Sequence, residues 1–175
     1  MDYIYKAVEN AVHTCGSRDP YELLDSIGAV TRLTNGLPPN KLKGYALIEK
    51  RILYAGINGR LSEYEQRIVA GHEAAHLILH EDVILKTSSR VLQDFDIYYN
   101  KGRLENEANQ FLADFLVSDE EVLHLIKWHK EYDYFDLANA LSLPPPLLAF
   151  KLYSMMKRGL PVKNPVDLKS DFLKS

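Results

Sequence analysis

His72-Glu73-Ala74-Ala75-His76 sits inside residues 61–80, a run with the period of an α-helix. Ile68, Val69, His72, Ala75, His76 and Leu79 recur three and four apart, so the apolar stripe and the two imidazoles share one face. Side chains four apart stand one above the other, about 6 Å along the axis. His72 and His76 can therefore aim at one point and hold a metal ion between them. Glu73, one residue on, lies beside their line, where its carboxylate can reach a water bound to that ion. Ser62-Glu63-Tyr64-Glu65 is a capping-box pattern and starts the helix.

Two histidines do not complete a catalytic zinc site, which takes three protein ligands and leaves one position for water. A third histidine at HExxHxxGxxH spacing is excluded, because Leu79 and Asp82 stand at those places. The next long helical run, residues 103–117, offers Glu105-Asn106-Glu107-Ala108-Asn109, with Ala108, Phe111, Leu112 and Phe115 on its apolar side. Glu105 and Asn109 are four apart and share a face, whereas Glu107 is turned about 200° from Glu105 at about 100° per residue. Glu105 is thus the expected third ligand. Asn109 is placed to accept a hydrogen bond from a ligand histidine and fix its tautomer. His80 continues the ladder by one more turn, where direct ligation is strained, and is assigned a structural or supporting role.

The chemistry this set predicts is metal-assisted amide hydrolysis: Zn2+ on His72, His76 and Glu105, with Glu73 as general base. Two rivals use the same residues. A non-catalytic binding or sensor protein has no need of Glu73. A structural zinc site fills all four positions with protein ligands, and His80 is the only obvious fourth.

The rest of the chain is consistent with an ordinary globular protein. It has 175 residues, 46% of them hydrophobic and 26% charged, which suits one domain over residues 1–160 and a tail over 161–175. A net charge of −3 argues against binding nucleic acid by phosphate neutralisation. Lys151, Lys157, Arg158, Lys163, Lys169 and Lys174 read as a solvated basic tail. Cys15 is the single cysteine, so no intrachain disulfide forms and cysteine zinc fingers are excluded. The start Met1-Asp2-Tyr3-Ile4-Tyr5-Lys6 has no signal-peptide pattern, and no stretch has the roughly 18 apolar residues of a membrane helix. The expected location is the cytoplasm, with no membrane partner.

In chain order, residues 2–14 have a helical period, and Asp19-Pro20 opens a second short helix through an N-cap and a first-turn proline. Residues 29–33 read as a short strand. Residues 44–48 and 51–57 read as an antiparallel pair joined through Glu49-Lys50. After the central helix, Val83-Ile84-Leu85 suits a strand or a helix end, and residues 94–99 suit an acidic, aromatic surface loop or the border of a cleft. Ser118-Asp119-Glu120-Glu121 starts a helix running to Trp128, with short helices over 134–141 and 145–156 completing a C-terminal set within 119–158. Tyr98 and Tyr99 are possible donors to an oxyanion, though nothing selects either.

The run from Gln66 into His72-Glu73-Ala74-Ala75-His76-Leu77-Ile78-Leu79-His80 resembles the first signature of the ImmA/IrrE metallopeptidases. Glu105-Asn106-Glu107-Ala108-Asn109-Gln110-Phe111-Leu112-Ala113 resembles their second, and the likeness covers roughly residues 40 to 155. Phe115-Leu116-Val117-Ser118 departs from the Leu-Leu-Met-Pro frequent in that family. The resemblance implies an α+β fold: a mainly helical zincin-like domain with a small antiparallel sheet before the HExxH helix. It also implies a zinc-dependent intracellular regulatory peptidase whose protein substrate is a helix-turn-helix repressor, often from phage or mobile elements.

Overall fold

A computed structural model describes residues 3–36, 38, 40–94, 96–97, 102–129 and 131–162. Among them are eight helices and four strands. Helix α1 (Tyr3–Cys15) buries Ile4, Val8 and Ala11 on one stripe. Helix α2 (Pro20–Ser26) begins as its residues dictate: the Asp19 carboxylate accepts the Tyr21 amide at 2.8 Å, and Pro20 occupies the first turn, where a missing N–H costs nothing.

Strands β1 (Val30–Thr34), β2 (Gly44–Glu49), β3 (Ile52–Asn58) and β4 (Val91–Asp94) form one sheet in the order β1-β3-β2-β4. The expected hairpin is β2–β3, in register through Glu49 opposite Ile52. Its two-residue loop is Lys50-Arg51, both with positive φ (50° and 67°), so Arg51 belongs to the turn and not to the strand. The sheet is larger than the antiparallel pair read from the sequence. β1 adds to β3 in parallel, and β4, which follows the central helix, adds to β2 antiparallel. Strand pairs distant in sequence carry no local signal, and β4 is only four residues long.

Helix α3 (Glu63–Leu79) opens on the capping box: Ser62 and Glu65 each accept the other's backbone amide, at 3.3 and 3.1 Å. Every residue from Ile68 to Leu77 is buried, because β2 and β3 cover one side of the helix while α2 and α5 cover others. Helix α4 (Glu81–Lys86) takes the Val83-Ile84-Leu85 segment, with Ile84 inward. Helix α5 (Arg103–Leu116) lies along α3. The contact is tight at Gly71, where a Cβ would come within 2.5 Å of Leu112 Cδ1.

Beyond α5, Ser118 caps α6 (Asp119–Trp128) with a second capping box and Asp133 caps α7 (Tyr134–Ala140). Pro144-Pro145 then starts α8 (Pro145–Lys157). A second apolar cluster forms here from Val117, Val122, Leu137, Leu148, Leu152 and Met155. Lys151 and Arg158 are not part of a solvated tail. Lys151 is fully buried on α8, with its Nζ 3.0 Å from Asp114 Oδ1 and 2.8 Å from Asp119 Oδ1. Arg158 reaches the same two carboxylates. Lys163, Lys169 and Lys174 lie outside the described residues.

Candidate metal centre

A single turn of α3 carries His72, Glu73 and His76 into the space between the sheet and α5, and all three are fully buried. The Nε2 atoms of His72 and His76 stand 3.1 Å apart. Glu105, from the first turn of α5, straddles them: its Oε2 is 3.2 Å from His72 Nε2 and its Oε1 is 3.6 Å from His76 Nε2. The helix phase that separates Glu105 from Glu107 holds in space. Glu107 turns to His80 Nε2, at 3.1 Å, and to Arg103 Nε, at 2.8 Å.

The far nitrogen of each ligand-facing ring is also engaged. His72 Nδ1 lies 3.1 Å from Asn109 Oδ1, and the Asn109 amide donates to the Ile97 carbonyl at 2.6 Å, which turns that oxygen toward the ring. His76 Nδ1 lies 2.9 Å from His80 Nδ1. Burial holds the His80 pKa below the ordinary imidazole range, with Glu107 opposing only in part. A neutral His80 accepts from His76 Nδ1–H and donates its own Nε2–H to Glu107. Both outer contacts therefore leave Nε2 of His72 and His76 as the atoms that face each other and the acids.

Asp94, the last residue of β4, completes the cluster and was not singled out by sequence reasoning. It is 1% exposed, with Oδ1 3.7 Å from His72 Nε2 and Oδ2 3.7 Å from His76 Nε2. Its register partner on β2 is Gly44, so the two residues face the same side of the sheet. That side holds Glu73: a Cβ on Gly44 would come within 2.2 Å of Glu73 Oε1. The only sequence signal for Asp94 was the acid at the end of the short run Val91-Leu92-Gln93. Tyr98 and Tyr99 lie outside the described residues.

Buried carboxylates surround the two imidazoles in this pocket. Both oxygens of Glu73 and both of Asp94 are buried without a hydrogen-bond partner, which is costly for a carboxylate unless a positive charge compensates. Burial lowers the His72 pKa, yet Asp94 and Glu105 outweigh it and push the value up to about 9. Glu73 is pushed well above the ordinary carboxyl range by burial first and by Asp94 next. Burial works to raise Glu105 as well, but its contacts with His72 and His76 hold it below that range. One donor atom each from His72, His76, Asp94 and Glu105 falls within 4.8 Å of the others, so this cluster could hold a metal ion.

The profile of the Peptidase_M78 family, the IrrE N-terminal-like domain, matches residues 34–153. This chain belongs to that family. A comparison with curated proteins finds no match. Peptidase_M78 is a metallopeptidase family, and the matched span contains the hairpin, α3, β4 and α5, which together supply every residue of the cluster. Among the described residues, no helix of this family member is long and apolar enough to cross a membrane.

Proposed function

We propose that the protein is a zinc-dependent intracellular endopeptidase that cleaves a helix-turn-helix repressor as a regulatory step. The observation that carries the enzymatic part is the convergence of His72 Nε2, His76 Nε2 and the Glu105 carboxylate within 3.1 to 3.6 Å, with Glu73 buried alongside. Two imidazoles and a carboxylate are the donor set that catalytic zinc takes. The repressor as substrate rests on the resemblance to ImmA/IrrE peptidases.

In this reading His72, His76 and Glu105 hold the ion, which when bound would acidify water and polarise a carbonyl. Asn109 and His80 keep the two rings in the tautomer that binds metal. Glu73 takes the proton of the attacking water and returns it to the leaving amine. Its fully buried setting on α3, beside Asp94, suits that task, since burial and a neighbouring carboxylate favour the protonated form that the base becomes in mid-reaction.

Glu73→Gln removes the base while keeping the shape. The variant is expected to bind metal stoichiometrically and to cleave a co-expressed repressor roughly 10²–10⁴-fold more slowly than the parent chain. Cleavage at the parent rate would overturn the assignment. Intact repressor with both proteins, each loaded with metal and bound to it, would favour a binding protein on the same fold.

A further inference from the structure

Three carboxylates and two imidazoles meet in the pocket, one more acid than a catalytic ion and a general base need. Glu105 supplies the third ligand and Glu73 the base, which leaves Asp94. It is 1% exposed, and neither of its oxygens has a hydrogen-bond partner. Distances test what it does there. Zinc bonds to nitrogen and oxygen of about 2.0–2.2 Å in a tetrahedral shell give donor-to-donor edges of about 3.3–3.6 Å. The contacts among the two histidines and Glu105 are 3.1, 3.2 and 3.6 Å, the two oxygens of Asp94 each lie 3.7 Å from one of the histidines, and one donor atom from each of the four residues falls within 4.8 Å of the others. Asp94 thus lies within reach of an ion held by His72, His76 and Glu105.

The position of Asp94 has a second property. Gly44 is the register partner of Asp94, and the missing Cβ of Gly44 is where Glu73 rests. Asp94 and Glu73 are therefore neighbours, so Asp94 stands beside the base, where a nucleophilic water has to sit. The Asp94 main chain is tied down, its carbonyl accepting the Lys43 amide at 2.7 Å, so its side chain is presented from a fixed strand. His80, the fourth candidate suggested by spacing, is occupied with His76 and Glu107.

Resting on the metal-centre reading above, we infer that Asp94 is a fourth protein ligand, closing the resting centre and excluding water until the side chain is displaced. A peptidase built this way is latent by construction. Substrate or an activating partner has to draw Asp94 off the ion before Glu73 has a water to act on.

Cobalt(II) substitution tests this without any cleavage assay. Azide added to the cobalt-loaded parent chain is expected to leave its visible spectrum unchanged, since no position is open. Asp94→Ala opens that position, so azide should shift the spectrum, and zinc affinity by chelator competition should fall by more than the roughly 10–100-fold lost with an outer partner. Asp94→Asn, which keeps the side-chain volume, should behave in the same direction and covers the case in which the alanine variant fails to fold. An azide response in the parent equal to that of the variants, with equal zinc affinity, would reject Asp94 as a ligand and leave the metal centre standing. Failure of the parent chain itself to take up cobalt or zinc would reject the metal centre and this inference together.

Discussion

Glu105 and Glu107 are two residues apart on α5 and have separate fates. Glu105 faces the Nε2 atoms of His72 and His76, while Glu107 joins Arg103 and His80 in a chain of contacts that reaches the metal-facing pair only through His76. Glu105→Ala is accordingly expected to abolish stoichiometric zinc binding. Glu107→Ala should retain zinc with an affinity lowered by no more than the roughly 10–100-fold that an outer partner contributes. Metal analysis of the two purified variants decides this, and equal retention would reject Glu105 as a ligand. The choice between the two was legible in the sequence because helix phase is a local property: a rotation of about 200° over two residues holds whatever the helix packs against. Asn109 was legible for the same reason. Asp94 was not, because its place depends on which residue of β2 it meets, and the register of a four-residue strand after a helix is settled by the sheet.

At the level of elements, the site is a junction of α3, α5 and the β2–β4 pair, and two glycines set how closely they meet. Gly71 lets Leu112 of α5 approach α3, and so brings Glu105 to the histidines. Gly44 leaves room for Glu73 and for Val69, whose Cγ1 a Cβ would meet at 2.5 Å. Both approaches are far inside ordinary contact, so Gly44→Ala has to push Glu73, the helix or the strand aside. That variant is expected to lose about 1–3 kcal/mol of stability from overpacking. Cleavage should slow by roughly 10²-fold, the scale of an approximately 1 Å misplacement, with metal stoichiometry unchanged. A parent-like cleavage rate would show that Glu73 does not need the space Gly44 provides. The capping boxes at Ser62 and Ser118, the Asp19-Pro20 start and the β2–β3 hairpin were readable because each is complete within a few residues. The parallel β1–β3 pairing was not, as neither strand carries a mark of the other.

Across the whole molecule, the C-terminal helices are fastened to the half that carries the candidate metal centre by buried charge as well as by apolar packing. Asp114 of α5, Asp119 of α6 and Lys151 and Ser154 of α8 form one network with Arg158, and Arg18 donates to the last carbonyls of α5 at 2.9 and 2.7 Å. Charge counting along the sequence placed Lys151 in solvent, since nothing local tells a lysine that its partners are 37 and 32 residues away. Burial pushes the Asp114 pKa up despite Lys151, whereas the Arg158 and Lys151 contacts outweigh burial at Asp119 and bring it down to about 2. Such a network stabilises only while it is whole. Removing one member strands a buried opposite charge, which typically costs about 3–5 kcal/mol, while an apolar side chain of similar volume can recover part of that loss. Lys151→Ala is therefore expected to lower the unfolding free energy by about that amount in a urea titration, with Lys151→Met losing less than Lys151→Ala. Although α5 is shared between this network and the candidate metal centre, Glu105 lies in its first turn and Asp114 near its other end, so loosening the C-terminal end should not disturb Glu105. Zinc stoichiometry of the folded Lys151→Met protein should match the parent chain. A stability change below about 1 kcal/mol for Lys151→Ala would mean that Asp114 finds its compensation in Arg158 and Ser154 alone.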